Sequence, residues 1–286
     1  MRPTWRRTRR ILLWGTASAL TVAAVLALLT FTYFWRSPGY VPGSLPVSAA
    51  EARVIPRDDY REEHPRPYVY RRGDVVVFGA EHTKEPDDPQ LDEIDRRWRE
   101  LRPTVVLLEG RLGFLAPGFM DPVEHYGETG HVYALARRDD VTRYTWEFPV
   151  GDLTRELAAT HAKDRVALFL VLRPYFSQMR TGRPESPEEF LAEYLPRAAD
   201  PAVRGAVSSV ADIDRIWQRD FPDKPNWRDL NDWEDLPGYL HQIGNHSNDL
   251  RNRYLVRLVD KLRADGERVF VICGSSHAVL IEPALT

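Results

Sequence analysis

Asp74-Val75-Val76-Val77-Phe78-Gly79-Ala80-Glu81-His82 is an apolar run that stops at a glycine and delivers a histidine three residues later. Near the end of the chain, Arg268-Val269-Phe270-Val271-Ile272-Cys273-Gly274-Ser275-Ser276-His277 repeats the pattern. Each reads as a short apolar strand followed by a Gly-x-x-His turn. A third strand, Thr104-Val105-Val106-Leu107-Leu108, ends in Glu109-Gly110-Arg111. In a parallel α/β sheet, residues just past the carboxyl ends of the strands gather along one edge, where ligands bind. His82, Glu109 and His277 are therefore expected to converge. Two imidazoles and a carboxylate are the components of a metal centre or of an acid–base site.

Outward from the first strand, Leu91, Ile94, Trp98 and Leu101 recur at helical spacing in an otherwise charged stretch, and Pro103 stops the helix. The spacing predicts a helix from near Pro89 to Arg102, which makes a βαβ unit with parallel strands and a right-handed crossover. Beyond it, His125-Tyr126-Gly127-Glu128-Thr129-Gly130 opens a helix through Arg138, and a strand over 141–148 carries Glu147 near its end. A helix from Leu153 to His161 follows. The apolar segment Val166 to Leu172 fits either helix or strand. Ser186-Pro187-Glu188-Glu189 is a helix start, with Ser as N-cap and Pro at the first helical position. Residues 187–240 read as a helical cap broken by prolines, in which Trp217, Trp227 and Trp233 pack. A last helix, Asn248 to Ala264, turns Leu250, Tyr254, Leu255, Leu258 and Leu262 inward and ends before Gly266.

The chain of 286 residues has room for one large domain or two small ones, and 43% hydrophobic content with eight Trp supplies material for a core. A net charge of −3, with no Lys/Arg cluster beyond the N-terminus, argues against a nucleic-acid partner. The single cysteine, Cys273, falls within a strand and reads as an inert core thiol. Residues 1–10 hold five arginines, and 11–35 contain no charged residue, long enough to span a bilayer. Trp14 at one end, and Phe31, Tyr33, Phe34 and Trp35 at the other, suit the two interfaces. The expected organisation is a basic cytoplasmic N-terminus (1–10), a transmembrane signal-anchor helix (11–35), an extended linker (36–69) and an extracytoplasmic domain (70–286). Prolines and glycines at 38, 39, 42, 43 and 46 mark the linker, to which His64 belongs. The fold class is thus α/β: a mixed, largely parallel central sheet flanked by helices, with a helical cap, preceded by one transmembrane helix.

The order of these motifs, with "VVLLEGR" after the second strand, "RNRYLVRLVDKL" on a helix and "VFVICGSSH" on the final strand, resembles the TraB/PrgY, GumN and Tiki group. That group belongs to a superfamily with the erythromycin esterases and the haem-binding ChaN proteins. The resemblance implies that His82 and His277 are the two functional histidines and Glu109 the glutamate after the second strand. It further matches Arg111 to a basic residue near that glutamate, and Arg251-Asn252 to a polar pair on the helix before the final strand. Glu128 matches an acidic residue opening a helix. Glu81 stands where the group commonly has a small or apolar residue. Tiki relatives are similar to metal-dependent proteases, whereas erythromycin esterases resemble metal-independent enzymes that activate water with a histidine.

Two enzymatic readings follow. In one, His82, Glu109 and His277 hold a divalent metal (Mn, Co, Zn or Fe) whose bound water attacks a peptide, ester or lactone. Glu81 or Glu147 then accepts the water proton and Arg111 stabilises the oxyanion. In the other, His82 is itself the base, oriented by Glu109. A serine mechanism through Ser275 or Ser276 lacks a Gly-x-Ser-x-Gly elbow. A non-enzymatic module binding a signal peptide or haem is the further alternative. The remaining histidines, at 125, 131, 161, 241 and 246, lack strand-end placement and read as surface or helix residues.

Overall fold

The computed structural model describes residues 21–26, 37–45, 48–110, 112–179, 182–230 and 236–285. The expected membrane segment lies mostly outside them; of residues 11–35 only 21–26 are described, and these are helical. Among the described residues no helix is long and apolar enough to cross a membrane.

A five-stranded sheet organises the rest. Its strands are β1 (Tyr68–Arg72), β2 (Val75–Ala80), β3 (Val105–Leu108), β4 (Thr142–Thr145) and β5 (Val269–Gly274), in the order β1-β2-β5-β3-β4. β1 is antiparallel to β2, and the other neighbours are all parallel. β5 is central, so the two strands of the expected βαβ unit are separated by the last strand of the chain. The continuous apolar runs are explained by burial on both faces. Val75 and Val77 point into one core and Val76, Phe78 and Ala80 into the other. The same alternation divides Val105 and Leu107 from Val106 and Leu108, and Val269, Val271 and Cys273 from Phe270 and Ile272.

One face is covered by α1 (Pro89–Leu101) and α2 (Pro122–Arg138). Asp88 caps α1 by accepting the Gln90 N–H at 2.9 Å, and its buried Leu91, Ile94, Trp98 and Leu101 are the residues whose spacing predicted it. The other face is covered by a long helix (Tyr239–Ala264) and a short one (Ser275–Ile281), which in chain order are α7 and α8. Between the sheet strands and α7 come α3 (Val150–Thr160), α4 (Lys163–Gln178), α5 (Pro187–Ala192) and α6 (Val210–Asp220). These four share a separate core in which Trp217 and Trp227 are buried. Trp233 lies outside the described residues. The undecided segment 166–172 is helical, the middle of α4. All seven of its side chains are buried, so no polar face betrays the helical period.

The expected extended linker is a correction. Residues 37–45 and 48–69 lie along the domain rather than away from it. Val41 and Val54 are buried in the core under α7, and the Ile55 N–H donates to the Leu280 carbonyl at 3.0 Å. Gly39 accepts from the Thr145 N–H at 2.9 Å, which adds the arm to the β4 edge. Ser48 caps a 3-10 turn over Ala49–Arg53, and His64 packs between the Tyr60 and Tyr68 rings. Backbone hydrogen bonds, two valines and side-chain bonds such as Arg53 Nη2 to the Ala284 carbonyl at 3.1 Å attach this arm, although its charged composition reads as solvated.

Candidate functional site

Every parallel strand delivers a polar side chain to the same sheet edge. His82 follows β2, Glu109 follows β3, Glu147 follows β4, and β5 runs directly into α8, which carries His277. With Arg173 of α4, Asn248 and Arg251 of α7 and Arg57 of the arm, they line a cavity of about 330 Å³. His82, Glu109 and His277 are brought together as the sequence predicts. Glu147 joins them.

The glycines of the two Gly-x-x-His turns permit close approach rather than unusual backbone angles. A Cβ on Gly79 would meet Ala278 Cβ at 2.6 Å, the Tyr68 carbonyl at 2.8 Å and Ser275 Cα at 2.9 Å. Only a bare backbone lets β2 pass under the start of α8. A Cβ on Gly274 would lie 3.1 Å from His82 Nε2 and 3.9 Å from Glu109 Oε2. Each turn's glycine thus makes room for the other turn.

His82 is oriented from behind. Its Nδ1 is 2.6 Å from Glu128 Oε1, and the other Glu128 oxygen accepts the Thr83 N–H at 3.3 Å. Glu128 is buried, while 58% of the His82 side chain is exposed. With the Nδ1 proton held by Glu128, Nε2 keeps its lone pair on the cavity side. Glu109, expected as the orienting carboxylate, is instead bound to the Gly274 N–H at 2.7 Å.

His277 is buried and wired differently. Its Nε2 is 3.3 Å from Arg251 Nη1, which can only donate, so Nε2 accepts and the Nδ1 proton goes to Asn252 Oδ1 at 2.6 Å. Trp146 packs edge-on to the imidazole at 5.1 Å and lies under the Arg251 guanidinium at 4.7 Å. Burial, then the guanidiniums of Arg251 and Arg57, hold the His277 pKa well below the usual imidazole range. Arg251 also binds Glu147 through two hydrogen bonds of 2.8 and 3.2 Å and Glu109 through one of 3.3 Å. Burial opposes the charge on Glu147, yet Arg251 and Arg173 keep its pKa below the ordinary carboxylate value. The Gly110 N–H completes it at 3.0 Å.

Two of the expected metal ligands share their site with a fixed cation. Glu109 Oε1 and His277 Nε2 are 3.8 Å apart, and the Arg251 guanidinium contacts both. A second cation between them would face a fixed positive charge. Among the described residues no group of three or more His, Cys, Asp or Glu side chains is arranged to hold a metal.

Glu81 is exposed and outside the cavity lining; its backbone is pinned by Gln90 at 3.2 and 2.7 Å. Arg111 lies outside the described residues. Arg57 and Arg173 are cavity residues that sequence reasoning missed. Arg173 carried a faint signal, a charge before Pro174 inside an apolar run; Arg57 carried none. The cap does not reach this cavity, but Phe190, Tyr194 and Arg197 line a neighbouring one of about 630 Å³ that shares Gly110, Glu147, Arg173 and Ser177 with it. No family model, curated protein or solved structure matches the chain.

Proposed function

We propose that the chain is a hydrolase in which His82 and Glu128 activate water without a metal. The observation that carries the reading is the 2.6 Å contact between a buried carboxylate and an exposed strand-end imidazole whose Nε2 faces a polar cavity. His82 and Glu109 both line the cavity, so a water entering it meets His82 Nε2. Nε2 takes its proton as the oxygen attacks an ester, lactone or peptide carbonyl, and the imidazolium formed is stabilised by Glu128. Arg173, one of the guanidiniums on the cavity wall, stabilises the developing oxyanion. Arg251 and His277 act as the platform that fixes Glu109 and Glu147. The TraB/PrgY, GumN and Tiki group that the sequence resembles shares a superfamily with the erythromycin esterases, whose metal-free chemistry is of this kind. Residues 11–35 would anchor the enzyme in the membrane, with residues 1–10 in the cytoplasm and the catalytic domain outside.

The test is a panel of chromogenic esters, lactones and peptides offered to the full chain in detergent, with metal content measured alongside. Hydrolysis of a panel member is expected to fall by about 100-fold or more in His82→Ala and about 10-fold or more in Glu128→Gln. Stoichiometric metal that disappears in His82→Ala would overturn the metal-free reading. A folded chain with no turnover on any class would overturn the hydrolase.

A further inference from the structure

We propose that this cavity seats an anionic group of its ligand, a carboxylate or a phosphoryl group, on the guanidinium of Arg57 with Arg173 beside it. The cavity is lined by three guanidiniums, those of Arg57, Arg173 and Arg251, and by two carboxylates, those of Glu109 and Glu147. Arg251 serves both carboxylates through hydrogen bonds. Arg57 comes from outside that network, on the arm that crosses the open edge of the sheet.

Arg57 is held in place from two sides. Its backbone N–H donates to Asp249 Oδ1 at 2.7 Å, and its guanidinium stacks over the Tyr60 ring at 4.3 Å. Yet its Nη1 is buried with no hydrogen-bond partner among the described residues. A guanidinium N–H withdrawn from water without an acceptor is costly, and such groups are normally satisfied. The fork of donors on arginine matches the paired oxygens of a carboxylate or phosphate. A ligand anion against the part of Arg57 that lines the cavity would offset this buried positive charge. The field in the cavity has the matching sign: burial and then neighbouring guanidiniums lower the pKa of both His277 and Arg173, the latter to about 10.

The inference rests on the proposed reading only in taking this cavity as the ligand site; it does not require turnover. The full chain in detergent is titrated by calorimetry with inorganic phosphate and, separately, with acetate, at constant ionic strength in chloride. Saturable binding of at least one is expected, weakened about tenfold or more in Arg57→Gln, the worth of one charge-assisted hydrogen bond. Tighter phosphate assigns a phosphoryl group, and tighter acetate a carboxylate. Binding is expected to persist in His82→Ala, so a failed hydrolase and a failed anion seat are told apart. Absence of saturable binding by both anions, or wild-type affinity in Arg57→Gln, overturns the seat. Should Arg57→Gln not fold, Arg57→Lys decides: it keeps the charge without the fork, and affinity unchanged for both anions overturns the assignment.

Discussion

At the scale of single residues, two glycines with the same motif position have different tasks. The space above Gly79 is closed by backbone, the Tyr68 carbonyl and Ser275 Cα, which cannot yield without moving β1 or α8. The space above Gly274 is closed by the tip of an exposed histidine. Gly79→Ala is therefore expected to destabilise the fold by about 1–3 kcal/mol, the range for overpacking a tight site. Gly274→Ala is expected to leave the melting temperature nearly unchanged and to cut hydrolysis by up to about 100-fold by displacing His82. Thermal melts and rates on the two variants separate these outcomes, and equal melting behaviour would refute the distinction. His277 makes a second residue-level prediction. Its folded pKa is depressed, so the unfolded chain takes up a proton near pH 6.5 that the folded chain refuses. Stability is then complete above about pH 6.5 and declines as pH falls, by up to about 1.4 kcal/mol per pH unit, until the folded ring itself protonates. His161 and His246, which contact each other at 3.0 Å, shift in the same direction and add to the slope. Denaturation at pH 5.5 and 7.5 is expected to give a smaller loss in His277→Gln than in the wild type; an unchanged slope would show that His277 is not the group responsible.

At the scale of elements, two irregular helices decide what reaches the cavity. α2 is interrupted at Gly127, whose φ of 60° and ψ of −152° belong to a region open essentially to glycine alone. A Cβ there would also meet the Thr83 carbonyl at 2.6 Å. The break turns Glu128 toward His82, and Gly130 restarts the helix close against the Pro122 carbonyl. Gly127→Ala is expected to destabilise by about 3 kcal/mol, combining backbone strain with overpacking, and to lower activity further than Glu128→Gln. Denaturant titration checks the first part; a loss below about 1 kcal/mol would mean that the turn relaxes without cost. In α4, Pro174 has no N–H for the Leu170 carbonyl four residues back, and Arg197 Nη1 donates to that carbonyl instead at 3.4 Å. Arg173, next to the proline, is mostly buried and lines the cavity at this break.

At the scale of the whole molecule, what was legible in the sequence follows from how each part is buried. The strands could be read because Val75–Phe78, Val105–Leu108 and Val269–Cys273 are buried on both faces and so carry no polar residues. Their ends located His82, Glu109 and His277 for the same reason. The central position of β5 could not be read, since strand order depends on contacts between segments nearly 200 residues apart. Glu128 was visible only through its resemblance, because its partner lies in another turn and no periodicity connects them. The arm was illegible because backbone hydrogen bonds, two valines and scattered polar contacts such as Arg53 Nη2 to the Ala284 carbonyl hold it, and none of these leaves an apolar period in the sequence. That difference yields the last prediction. If residues 37–69 were a tether, a chain starting at Tyr70 would be as stable as one starting at Ser37. In the structure the shorter chain loses the buried Val41 and Val54, each worth about 1.5–3 kcal/mol at most, and leaves Leu280 without the Ile55 donor. It also loses the whole of Arg57 from the cavity. The chain from Tyr70 is expected to melt markedly lower and to bind neither phosphate nor acetate, while the chain from Ser37 does both as the full chain does. Equal melting temperatures for the two truncations would return the arm to a tether and remove Arg57 from the site.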